Sequence, residues 1–305
     1  MFLIINRKPI FYLRVFIMKT FISKILMSVG DNYPILQMKR VYGGSINESY
    51  YIKTKQDEYF LKFHQQAPKQ FFALEKLGLA LIGETKTISV PKVLSFSDQV
   101  GSSYLLLEWV DGEERVDTEK ELGQQMARLH QHTGKKHGFD RDTYIGLLPQ
   151  PNQLYDHWLD YYREKRLLSQ LNEGIKRNRM PRKRRTQLEK LILQLDRWIP
   201  QQVMPSYLHG DLWGGNWLVG PGGTPYVIDP SFLYGDRHFE LAFTELFGGF
   251  SSVFYDAYQQ ILPIEDYYEE VKPLYQLYYL LVHLNIFGET YGLRVDHILD
   301  RYVGN

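Results

Sequence analysis

The chain has 305 residues, with 36 Lys and Arg against 35 Asp and Glu and a formal charge of +1. That balance gives no general pull toward nucleic acid or an acidic membrane. There is no Cys, which excludes disulfides, thiolate nucleophiles and thiolate metal sites and fits a reducing, cytoplasmic compartment.

The first twenty-one residues are apolar but broken by Arg7, Lys8, Arg14 and Lys19. No uncharged run approaches the roughly 18 residues of a membrane span, and no signal-peptide pattern is clear. Residues 1–17 read as an N-terminal extension, with Met18 or Met27 as alternative beginnings. From Gln37 to Glu108 the signals are mostly β. Met38–Val41, Tyr50–Thr54, Tyr59–Phe63, Val93–Phe96 and Ser103–Leu107 read as strands, and Ala67–Leu81 has helical apolar spacing. The expectation is a five-stranded antiparallel sheet with one long helix, spanning 18–107. A short hinge at 108–112 follows, then a mainly helical lobe over 113–305. Its predicted helices are Glu119–Gln131, Leu154–Leu168, Thr186–Ile199, His238–Phe247, Ser252–Ile261 and Pro273–Phe287. The last is apolar nearly all round, as a buried core helix would be.

The segment LHGDLWGGNWLVGPGGTPYVIDP, from Leu208 to Pro230, carries the chemistry. Asp211 and Asn216 are five apart, as in H-R-D-x-x-x-x-N, where the Asp accepts a substrate hydroxyl proton and the Asn holds metal. Asp229 follows the apolar run Tyr226-Val227-Ile228, where a second metal-binding carboxylate belongs. Upstream, Gly43, Gly44 and Ser45 lie between two predicted strands, where glycines let amide groups approach phosphate oxygens. Lys62 ends an apolar strand and needs a partner if buried; Glu75 on the next helix is the natural one, and such a pair fixes a lysine on phosphates. Together these residues predict ATP-dependent phosphoryl transfer with Mg2+.

The sequence resembles the fructosamine kinase, or ketosamine 3-kinase, family, from about Val41 to Gly288. The resemblance is carried by GGSIN, YFLKF, FFALEKLGL, VPKV, LLLEWV, LGQQMARLH, YIGLLPQPN, LHGDLWGGNW, VIDPSFLYGDR, FGGF and YQLYYLLVHLNIFG. It implies an α+β, bilobal, protein-kinase-like fold and phosphorylation of the sugar O-3′ of ketosamines, free or on protein lysines. The 3-phosphorylated product falls apart and returns the amine, which is repair of glycation. Matched by motif, Asp211 is the base, Asn216 and Asp229 bind magnesium, and Lys62 with Glu75 holds the phosphates. Gly43, Gly44 and Ser45 cover the phosphates, and the backbone of Glu108, Trp109 and Val110 meets adenine. Trp213 is the first substrate-contact candidate, followed by His283 and Asn285. A related aminoglycoside or choline kinase is the alternative, since those share H-G-D-x-x-x-x-N. A non-catalytic binding protein is disfavoured, because all five core residues are present.

Three departures stand out. Asp229 is followed by Pro230, which restricts a loop flip. Gly210 replaces the Arg of H-R-D, and Glu240 stands where the family usually has Asp. Lys176–Arg185 (KRNRMPRKRR) is strongly basic; its expected place is a solvated interhelical loop rather than a nucleic-acid surface.

Overall fold

The computed structural model describes residues 8–42 and 46–304, the side chains of 8–15 excepted. The predicted phosphate loop Gly43-Gly44-Ser45 lies outside the described residues. The chain divides into two compact units, Met1–Ala73 with Pro91–Trp109, and Leu74–Val90 with Val110–Asn305.

The first unit opens with helix α1 (Lys8–Ser28). Five strands follow: β1 (Gln37–Val41), β2 (Glu48–Lys53), β3 (Glu58–His64), and, after helix α2 (Phe71–Glu84), β4 (Val93–Ser97) and β5 (Ser103–Glu108). They form one sheet in the order β1-β2-β3-β5-β4, antiparallel throughout. The register places Lys62 opposite Ser49 on one side and Leu105 on the other. The expected sheet is therefore present, but the expectation of one long helix needs correcting. Ile22, Ile25 and Leu26 of α1 fall at i, i+3 and i+4 and pack with Ile52, Tyr59, Leu61 and Leu106 in the unit's core. Asp31, just past α1, ties the helix to the sheet by accepting from Thr54 Oγ1 (2.6 Å) and Tyr59 OH (2.8 Å).

The second unit is built on helices α3 (Thr118–Gln131), α4 (Trp158–Tyr161), α5 (Ser169–Lys176), α6 (Arg182–Ile192), α7 (Arg237–Thr244), α8 (Ser252–Ile261), α9 (Tyr268–Phe287) and α10 (Gly292–Val303). A π-helical stretch, Tyr162–Leu168, joins α4 to α5, so the predicted helix Leu154–Leu168 starts later and runs further. Three short antiparallel strand pairs lie in the unit: β6 (Thr143–Ile145) with β7 (Leu148–Gln150), β8 (Ser206–Leu208) with β11 (Leu233–Gly235), and β9 (Trp217–Val219) with β10 (Pro225–Val227). The core is rich in aromatics. Tyr275, Tyr278 and Tyr279 of α9 are fully buried, and Tyr279 stacks on Phe243 of α7 at 3.7 Å. Residues 74–90, expected within the 18–107 lobe, group with this unit and pack here through Leu77, Leu81, Ile82 and Ile88.

The basic run also differs from expectation. Its C-terminal part forms the start of α6, and Arg184 is buried (2 % exposed). Its guanidinium forks onto Asp296 (2.7 and 2.9 Å) and Glu289 (2.6 and 3.2 Å). These carboxylates push the Arg184 pKa further up. Arg177, Lys183 and Arg185 meet Glu173, Asp300 and Glu189. The run is therefore largely neutralised within the fold.

Candidate active site

Two antiparallel strand pairs, the hairpin β9–β10 nested between β8 and β11, frame the site. β8 delivers His209-Gly210-Asp211 at its end, and β11 leads back past Ser231. β9 begins just after Asn216, and β10 ends just before Ile228 and Asp229. Cross-links join them. Ser231 N–H donates to His209 O (2.8 Å), and Ile228 N–H donates to Asn216 O (3.0 Å). Asp229 is thus gripped on both sides, which sustains its left-handed backbone (φ +59°), a conformation that costs roughly 1–3 kcal/mol when unsupported.

His209 is fully buried and works as a spacer. Its Nε2–H donates to Ile228 O (2.7 Å), while Nδ1 accepts from Asp211 N–H (3.3 Å). Burial lowers its pKa, so the ring is neutral, as those two bonds require. Asn216 is buried too, and its Nδ2 donates to Asp211 O (2.7 Å) and Oδ2 (3.1 Å). With Nδ2 turned to Asp211, the Asn216 amide oxygen is the atom able to face a cation. Asp211, Asn216 and Asp229 thus form one hydrogen-bonded frame.

Glycine at 210 follows from geometry. Gly210 sits at φ +84°, and a Cβ there would lie 2.0 Å from Ser231 O. Behind it, Glu240 of α7 is wholly buried and accepts from His209 N–H (3.1 Å) and Gly210 N–H (2.6 Å). His130 of α3 completes the carboxylate at 2.8 Å and meets Tyr258 OH at 2.7 Å through its other ring nitrogen. Burial raises the Glu240 pKa, but the hydrogen bonds from His130 and the Gly210 amide outweigh it, and the net shift is downward. Glu240 is the clearest positioning residue whose role the sequence left open. Its one signal was the exchange for Asp, and His130 gave only a lone histidine ending a helix.

Glu75 lies on α2, and Gly78, one turn later, meets the segment that follows Asp229. A Cβ at Gly78 would lie 2.9 Å from Pro230 Cγ and 3.4 Å from Phe232 Cβ. Lys62, on β3 of the first unit, is buried (4 % exposed). At the end of β5, Glu108 N–H donates to Lys92 O (3.0 Å) and Trp109 N–H to Glu58 O (3.1 Å), so both amides serve the sheet. The Trp109 ring packs on Tyr51, and the division between units falls between Trp109 and Val110.

The three substrate-contact candidates separate. Trp213 is exposed (37 %), and its ring lies over Gly215. His283 is half-buried among Phe247, Tyr291 and Phe287, with Nδ1 bonded to Tyr279 O (2.8 Å); burial lowers its pKa. Asn285 corrects the expectation. It is 1 % exposed and gives Nδ2 to Gln170 O (3.1 Å) and Oε1 (2.9 Å), joining α9 to α5 inside the core.

The mixed sheet-and-helix fold is of the protein-kinase-like class. An aminoglycoside phosphotransferase from Ralstonia eutropha and a choline kinase from Streptococcus pneumoniae share the fold, at TM-scores of 0.61 and 0.60 and identities of 14% and 18%. Closer matches are more specific. The family model for fructosamine kinase matches residues 17–305. A relative in Lactiplantibacillus plantarum named "Probable ketoamine kinase" is 40% identical over 271 residues, covering 88% of this chain and 95% of its own. The chloroplastic protein-ribulosamine 3-kinase of Arabidopsis thaliana is 31% identical over 288 residues, covering 92% and 87%. The crystal structure of a candidate fructosamine-3-kinase from Haemophilus somnus superposes with a TM-score of 0.82 at 29% identity, covering 92% of this chain and 96% of its own. The chain belongs to the fructosamine kinase family, and it is a kinase.

Proposed function

We propose that the protein phosphorylates the O-3′ hydroxyl of ketosamines, with ATP as donor. Its substrates in this reading are ribulosamine, erythrulosamine or fructosamine, free or on protein lysines, and its product breaks down to release the amine. The observation that carries the reading is the frame of Asp211, Asn216 and Asp229, held by His209, Ser231 and Glu240. Family membership and the ribulosamine 3-kinase relative support the substrate class.

In this reading Asp211 takes the proton from the sugar hydroxyl as the γ-phosphate is transferred in line. Asn216 keeps the Asp211 carboxylate oriented through its 3.1 Å bond to Oδ2. The Asn216 amide oxygen and the Asp229 carboxylate are hard oxygen donors that suit Mg2+, which when bound neutralises phosphate charge. Among the described residues no group of three or more His, Cys, Asp or Glu is placed to hold a metal. Mg2+ in kinase sites needs only one or two protein ligands and completes its shell with phosphates and water. Lys62 and Glu75 hold the donor phosphates, the Glu108–Val110 backbone meets adenine, and the Trp213 ring packs on the sugar face.

Positioned proton transfer contributes roughly 10²–10⁴ in rate. Asp211→Asn should therefore lower kcat by at least that order with ATP affinity nearly unchanged, read by steady-state kinetics and nucleotide titration. Normal turnover by this variant would remove Asp211 from the role of base.

A further inference from the structure

Helix α2 begins at Phe71. Gln70, the residue before it, lies at φ +62°, a conformation uncommon outside glycine. Phe71 N–H is satisfied by Pro68 O (3.3 Å), but the following amides still need acceptors. Both come from a distant turn. Asp98 Oδ1 accepts from Phe72 N–H and Asp98 Oδ2 from Ala73 N–H, each at 2.9 Å. A carboxylate there also meets the positive end of the helix dipole.

The turn that presents Asp98 is itself braced. Ser102 N–H and Ser103 Oγ both donate to Gln99 O (3.0 Å each). Gly101 N–H donates to Gln65 O (3.1 Å), just beyond the strand that bears Lys62. β5, which leaves this turn, pairs with β3 and sets Leu105 opposite Lys62. Phe72 is fully buried. One carboxylate therefore indexes the first turn of α2 to the strand pair carrying Lys62, and Glu75 stands one helical turn beyond Phe72.

We propose that Asp98 is a positioning residue for phosphoryl transfer. It fixes the rotation and axial placement of α2, and through them the point at which Glu75 is presented. This rests on the reading in which Lys62 and Glu75 hold the ATP phosphates. A cap that merely stabilised the fold would lower Tm and leave the kinetic constants alone.

The test compares Asp98→Ala, Asp98→Asn and Asp31→Ala by Tm and by KM and kcat for ATP and for ribulosyl-lysine. Asp31 is the control, a buried carboxylate of the same unit that bridges α1 to the sheet. Asp98→Ala should raise KM for ATP or lower kcat by about tenfold or more, since small misplacements cost that much, with KM for ribulosyl-lysine little changed. Asp98→Asn keeps one acceptor oxygen and should recover most of the loss; it also carries the test if the alanine variant does not fold. Asp31→Ala should lower Tm without changing KM for ATP. Wild-type constants in the Asp98 variants overturn the proposal, as does an equal kinetic loss in Asp31→Ala. Asp211→Asn in the same assay separates the two layers: if it is inactive, the kinase reading stands whatever Asp98 does, and if it turns over normally, both fall.

Discussion

Gly210 shows how closely the loop bearing Asp211 is fitted. Its positive φ and the 2.0 Å approach to Ser231 O leave no room for a side chain. Gly210→Ala must break the Ser231–His209 bond or shift Asp211. The expected result is a fall in kcat of roughly a hundredfold, with the protein still folded by circular dichroism. His137 makes a second prediction at this scale. It is 3 % exposed, and burial pushes its pKa down to about 4. The folded state thus resists a proton that the unfolded chain accepts near pH 6.5. This stability is complete above pH 6.5 and is lost as pH falls toward 4, at up to about 1.4 kcal/mol per pH unit. Urea unfolding at pH 7 and pH 5 should differ by about 2 kcal/mol from this residue, and His137→Phe should flatten the dependence. Spacing along the chain made legible that Asp211, Asn216 and the segment of Asp229 come together. Glu240 and Asp98 accept from backbone amides far away in sequence, and His130 bonds the Glu240 carboxylate; no local pattern announces such bonds. Asn285 misled for the converse reason: a polar residue on an apolar helix looks the same from sequence whether it faces a ligand or a core partner such as Gln170.

At the scale of elements, regular patterns were readable and mixed ones were not. All five strands of the first sheet were anticipated within a few residues, because short β-branched and aromatic runs were separated by turn residues. α1 was not anticipated, because its charges break the apolar run and residues 1–17 read as an N-terminal extension. Among its described side chains, Ile22, Ile25 and Leu26 are buried in the core, with Met18 and Phe21 packed against it. The basic run was read as a loop from charge and Pro181 alone. Pro181 instead immediately precedes α6, and Arg184 turns inward onto two carboxylates supplied by more distant positions. The π-helical stretch has no sequence signature. It carries Arg166, whose fully buried guanidinium lies 4.6 Å from the Tyr161 ring and bonds Pro151 O and Asn152 Oδ1.

For the whole molecule, the two units divide the expected labour. The first holds Lys62 and the five-stranded sheet, and the second holds Glu75 and the frame of Asp211, Asn216 and Asp229. No helix among the described residues is long and apolar enough to cross a membrane. The packing of α1 gives a test of how much chain the first unit needs. A variant beginning at Met18 keeps Ile22, Ile25 and Leu26, whereas one beginning at Met27 loses all three, at roughly 2 kcal/mol each. The first should melt within a few degrees of the full chain, and the second should be unfolded or insoluble when compared by calorimetry. The central claim is that this frame phosphorylates ketosamines, and one measurement tests it most directly. Ribulosyl-lysine, fructosyl-lysine, choline and kanamycin would each be incubated with magnesium-ATP and the protein, or its Asp211→Asn variant, and weighed by mass spectrometry. The prediction is one phosphate gained on a ketosamine with the wild type and none with the variant. Phosphate on choline or kanamycin alone, or on nothing, would contradict it.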